Sequence, residues 1–172
     1  NSSKLFAGDV NIGGNTNTSA LSDGDNLTFT TNNVILTADG NYTSGTITIN
    51  EKVESCSVVT GANTFTANGM ITVGASAQLA FVNNNTVNIN NDINIAAGTF
   101  AGGGGNGGGL TFETSTNAGL NSTINVTGEI TVSGTGGGGT GPDANQGRGT
   151  LVLRSKTNGN HTINLATVNF TG

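Results

Sequence analysis

The residues able to do chemistry are few. One histidine (His161), one cysteine (Cys56) and one tyrosine (Tyr42) stand in a chain of 172 residues. Enzymatic catalysis needs titratable groups that converge. His161 lies in Asn158-Gly159-Asn160-His161, a turn sequence just ahead of a strand-like stretch. It reads as a turn histidine rather than as the base of a Ser-His-Asp triad. Asp92, Glu113 and Glu129 are scattered singly. Asp92 and Glu129 hold the same place before two apolar triplets, so stacking them would pair two carboxylates for acid–base work or cation binding. As turn residues they need no such role, and no catalytic residue is assigned. The best calcium candidates are Asp23 and Asp25 in Asp23-Gly24-Asp25. Calcium asks for about six to eight oxygens, so this pair makes calcium a weak candidate and no other cofactor is expected.

Other motifs carry less. Gly136 to Gly139 is followed by Thr140-Gly141-Pro142, without the Lys-Ser/Thr and helix start that a phosphate loop requires. Cys56 reads as a small buried residue, or as the source of a disulfide between copies, since it has no intrachain partner. Candidate N-glycosylation sites of the Asn-x-Ser/Thr type include Asn17, Asn26, Asn41, Asn84, Asn121, Asn125 and Asn160. A chain this rich in Asn, Ser and Thr produces such triplets by composition alone.

Composition sets the class. Charged residues are 9% of the chain, the net charge is −5, and Lys and Arg together number five. Phosphate backbones need clustered cations, so a nucleic-acid partner is excluded. No apolar run approaches the roughly 18 residues of a spanning helix. Gly, Asn, Thr and Ser are poor in helix interiors, whereas Thr, Val, Ile and Phe favour strands. An all-β chain follows. Its first residue is Asn1, and it reads as a mature or excised piece of a secreted, cell-surface protein.

The elements come as a repeat. Short apolar-x-apolar units recur in threes: ITV (71–73), LAF (79–81), VNI (87–89); then INI (93–95), LTF (110–112), INV (124–126); then ITV (130–132), LVL (151–153), INL (163–165). A fourth set opens with Val168-Asn169-Phe170. Three short strands per turn, each with two inward residues, predict a right-handed parallel β-solenoid. A β-sandwich is the alternative. Stacking at about 4.8 Å would place Leu79, Leu110 and Leu151 in one ladder and Phe81, Phe112 and Leu153 in the next. The basic turn is about 22 residues, and the glycine-rich stretches 102–109 and 133–149 are insertions at one corner. In the first half, Leu27-Thr28-Phe29, Val34-Ile35-Leu36 and Ile47-Thr48-Ile49 are expected to form one turn, with Val53, Val58-Val59 and Phe65 in a poorer one. On that assignment Thr48, Asn88, Asn125 and Asn164 form an outward ladder along the third strands, a Thr/Asn array of the kind that rigidifies a solenoid or binds ice. Residues 1–22 are expected to be a cap or an exchanged strand, and 23–172 the solenoid domain.

The triplets over 69–100, 110–132 and 150–170 resemble the passenger domains of autotransporter and filamentous-haemagglutinin-type surface proteins. The resemblance implies an elongated, non-enzymatic, extracellular protein with adhesive or scaffolding roles. The expected function is a structural subunit of a surface filament, sheath or coat. Self-association would run through open strand edges, with Cys56, Val168 and Phe170 as contact candidates. The alternatives are an adhesin fragment binding glycans or host surfaces, and a solenoid polysaccharide-active enzyme or ice-binding protein.

Overall fold

The computed structural model describes residues 3–6, 10–12, 24–38, 40–53, 56–97, 107–114, 121–134, 147–155 and 160–172. Among the described residues, fifteen strands follow one another. The first two are β1 (Ser3–Phe6) and β2 (Val10–Ile12). Next come β3 (Asn26–Phe29), β4 (Ile35–Ala38) and β5 (Tyr42–Ser44). They are followed by β6 (Ile47–Ile49), β7 (Cys56–Val59) and β8 (Gly61–Ala67). Then come β9 (Ile71–Val73), β10 (Gln78–Ile89), β11 (Ile93–Ile95), β12 (Gly109–Thr114) and β13 (Ser122–Ser133). The last are β14 (Thr150–Arg154) and β15 (His161–Thr171).

Every described pairing is parallel. The pairings sort into three stacks. The first runs β1, β3, β6, β9, β11, then the second halves of β13 and β15. The second runs β2, β4, β7, the first half of β10, β12 and β14. The third runs β5, β8, the second half of β10 and the first halves of β13 and β15. From β3 onward the chain visits the stacks in the same order each time round. The antiparallel layers of a sandwich are absent among the described residues, and the fold is all-β with parallel pairing.

Alternation explains the core. Along the inner strands residues of one parity are buried and the others face out, as in Ile71-Thr72-Val73, whose outer two are fully buried. Parallel register then places like on like. Leu79 pairs with Leu110 and Leu110 with Leu151; Phe81 pairs with Phe112 and Phe112 with Leu153. A file of aromatic rings runs through the interior, from Tyr42 to Phe65 (5.9 Å between centroids), Phe81 (5.6 Å) and Phe112 (5.6 Å).

The corners need glycine where successive turns touch. Gly69 N–H donates to Gly45 O at 3.1 Å, and a Cβ on Gly69 would stand 2.5 Å from Thr46 N. Gly108, in the described part of the first glycine insertion, donates to Ala96 O, and a Cβ there would meet Gly74 O at 2.7 Å.

The first half corrects the expected assignment. Ile47-Thr48-Ile49 does not follow Val34-Ile35-Leu36 as a third strand; it lies on Leu27-Thr28-Phe29 in register and opens a new turn. The third strand is instead Tyr42-Thr43-Ser44. Its inward residues are an aromatic with a hydroxyl and a serine, so it lacks the aliphatic alternation that marks the other strands. In the segment 1–22, β1 pairs with β3 and β2 with β4 of the same chain.

Candidate functional site

Parallel register turns the outward residues into rows. On the third stack one row is Thr64, Thr86, Thr123 and Thr162. A second row, two residues along each strand, is Thr43, Thr66, Asn88, Asn125 and Asn164. Next outward after these stand Asn68, Asn90, Thr127 and Ala166, all exposed. Thr48, assigned to this ladder from sequence, belongs to the first stack between Thr28 and Thr72. Sequence reading missed Thr43, Thr64 and Thr66, although the alternation in Thr64-Phe65-Thr66-Ala67-Asn68 carries the signal.

The amides of this face are fixed to one another. Asn125 Nδ2 donates to Asn88 Oδ1 at 3.0 Å, and Asn164 Nδ2 donates to Asn125 Oδ1 at 2.8 Å. One row over, Asn90 Nδ2 donates to Asn68 Oδ1 at 2.9 Å. Each bond spans one turn, so the ladder holds side-chain rotamers as well as backbone spacing. The residues in these rows carry no charge.

The first stack is chemically different. Its outward row Thr28, Thr48, Thr72, Asn94, Thr131 and Asn169 runs beside Met70, Asp92 and Glu129. Asp92 and Glu129 do stack, but as a corner link: Glu129 N–H donates to Asp92 Oδ1 at 2.8 Å. Glu129 Oε1 in turn accepts from Thr131 Oγ1 at 3.1 Å. On the second stack Glu113, nearly buried, faces the exposed Arg154 at 3.9 Å. Among the described residues no three His, Cys, Asp or Glu side chains gather into a metal-binding group.

The remaining candidates fall into separate places. Asp23 and Asn17 lie outside the described residues. Asp25 is buried, and its backbone carbonyl accepts from Gly45 N. Asn84 is buried at the corner between the second and third stacks, where its Oδ1 accepts from Thr60 N (2.8 Å) and Thr60 Oγ1 (2.6 Å). Its Nδ2 donates to Val58 O and Val82 O, so every polar atom of the side chain is engaged in the fold. Asn26 Oδ1 accepts from Thr46 N, and Asn41 Oδ1 accepts from Thr64 N. Asn125 sits in the amide ladder, whereas Asn41, Asn121 and Asn160 are exposed. Cys56 is 1% exposed, with Sγ donating to Thr31 O at 3.6 Å. Burial pushes its thiol above the ordinary range, against a smaller downward pull from the Val34 backbone. A disulfide between copies would require this side chain to leave the core.

The last turn is unlike the others. Leu153 is 48% exposed and Phe170 70%, whereas Phe81 and Phe112 on the inner turns are fully buried. Leu151, Ile163, Leu165 and Val168 are only partly buried. A shallow recess of about 120 Å³ lies beside Phe170, lined by Val132, Arg148, Gly149 and Gly172 among others. The outer edge of β15 pairs with no described strand.

The chain matches no known protein family, curated protein or solved structure. No described helix is long and apolar enough to cross a membrane. The surfaces above therefore carry the functional reading.

Proposed function

We propose that the three stacks are the faces of a right-handed parallel β-solenoid, and that this solenoid is a structural subunit of an extracellular filament, sheath or coat. The return of the chain to each stack in fixed order supports the winding. Parallel crossover connections are right-handed in about 98% of cases, which supports the hand. The uncharged Thr- and Asn-rich faces and the exposed sequons at Asn41, Asn121 and Asn160 suit an extracellular setting.

One observation carries the assembly: the final turn leaves an open strand edge and apolar side chains that inner turns bury completely. The occupant that satisfies both is another parallel turn, which supplies backbone partners and covers Leu153 and Phe170 together. For residues 1–172 taken by themselves, we propose that a second copy of this chain supplies it. The opposite end offers an edge of the same polarity, since β1 pairs only with β3 and β2 only with β4 among the described strands. Head-to-tail contact of this kind does not close on itself and grows along one axis.

Sedimentation velocity over a range of concentrations, with electron microscopy of the same samples, tests this. The expected result is a concentration-dependent series of elongated oligomers, and Leu153→Lys with Phe170→Lys shifts the series to monomer. A wild-type chain that stays monomeric at the highest concentration overturns the assembly.

A further inference from the structure

We infer that the third face binds ice, or water ordered as in ice, through its Thr and Asn rows. Three properties of the face support this, and none involves the open end.

The first is geometry. Thr64-x-Thr66, Thr86-x-Asn88, Thr123-x-Asn125 and Thr162-x-Asn164 lie in register over four turns. Backbone pairing spaces them at about 4.8 Å between turns, and strand rise at about 6.6 Å along each turn. A rectangle of nearly these dimensions repeats on the prism face of hexagonal ice. A parallel stack sets this spacing whatever the side chains are; what the sequence adds is hydroxyl, methyl and amide groups at nearly every node.

The second is order. A lattice is recognised only by groups that hold their own lattice. Amide-to-amide bonds join Asn88, Asn125 and Asn164, and Asn68 with Asn90, so little rotamer freedom is left to lose on binding. The Thr side chains are β-branched and stiff at χ1.

The third is contrast within the molecule. The first stack also carries a Thr row, but Met70, Asp92 and Glu129 interrupt its margin. The second stack presents Ile35, Ser57, Ala80, Thr111 and Val152 in register, a mixed set. The third stack carries two adjacent Thr/Asn rows in register, whereas the first carries one such row beside the interrupted margin. A crystalline polysaccharide is the other repeating ligand of matching scale. Sugar faces are gripped by exposed aromatic rings, and this face has none: the chain lacks Trp, and Tyr42 is buried.

The test is ice recrystallisation inhibition and ice-affinity partitioning of the wild-type chain, against Thr86→Tyr, Thr123→Tyr and, on the second stack, Thr111→Tyr. Outward positions accept Tyr without entering the core, and circular dichroism melts check that each variant folds. The expected result is activity in the wild type, at least about tenfold loss in Thr86→Tyr and Thr123→Tyr, and retention in Thr111→Tyr. Failure of the wild type to partition into ice overturns the inference, as does equal loss in Thr111→Tyr. Pull-down by crystalline cellulose or chitin without ice partitioning also overturns it, in favour of a polysaccharide ligand. Partitioning by a monomeric chain would uphold the ice face while overturning end-on assembly.

Discussion

The inner turns and the last turn are built from the same sequence pattern and reach opposite ends in burial. Phe112 sits between Phe81 and Leu153 in one ladder and is fully buried. Phe170 continues the ladder of Ile95 and Val132 and is 70% exposed. The difference is a neighbour on the second side. In this architecture a strand does not own a core; each turn buries its apolar pair only when another turn lies on either side. Burial is then complete in the middle turns and incomplete in the last.

The largest effect should come from the middle. Phe112→Ala removes a ring packed against Phe81 and should cost about 3–5 kcal/mol in denaturant unfolding. In dilute solution Phe170→Ala should cost less than about 0.5 kcal/mol. Equal losses at the two sites would break the comparison. Next is the corner: Gly69→Ala forces a Cβ onto the Thr46 backbone and should cost about 1–3 kcal/mol. Gly40, with nothing within 4 Å of its Cβ direction, is the control, and Gly40→Ala should leave the midpoint unchanged or raise it.

Asn84→Ala strands Thr60 N in a buried corner, while Thr60 Oγ1 keeps Asn63 O at 3.2 Å, and should cost about 1–3 kcal/mol. It also bears on the glycosylation candidates. A side chain whose oxygen and nitrogen are both used inside the fold is unavailable as a glycan acceptor in the folded protein. The smallest effect is a gain. Ser44 Oγ is buried with no hydrogen-bond partner, so Ser44→Ala should stabilise by up to about 1 kcal/mol, read as a raised melting temperature.

The second half of the fold was legible because its inward residues are nearly all Ile, Val, Leu or Phe at period two. Leu79 over Leu110 over Leu151 could be written from the sequence, and the register is the one observed. The first half was not, for a physical reason at particular residues. Tyr42-Thr43-Ser44 turns a serine inward, and Gly61–Ala67 packs inward only with Phe65 and Ala67. Ile47-Thr48-Ile49 alternates more strongly and so reads as the third strand, although it lies on Leu27-Thr28-Phe29. Outward chemistry inherited that error: the Thr/Asn face runs back through Thr66 and Thr43, not Thr48. The corner role of Asn84 was invisible, since nothing in Asn83-Asn84-Asn85 says which amide points inward.

All of this depends on consecutive turns lying parallel and in register along one axis. Nuclear Overhauser contacts in a uniformly labelled sample, with the side-chain amides of residues 88, 125 and 164 assigned individually, address that directly. The expected cross-peaks link Asn88 to Asn125 and Asn125 to Asn164, with none between Asn88 and Asn164. Cross-peaks pairing these strands in antiparallel order, or no contact between residues 88 and 125, would contradict it.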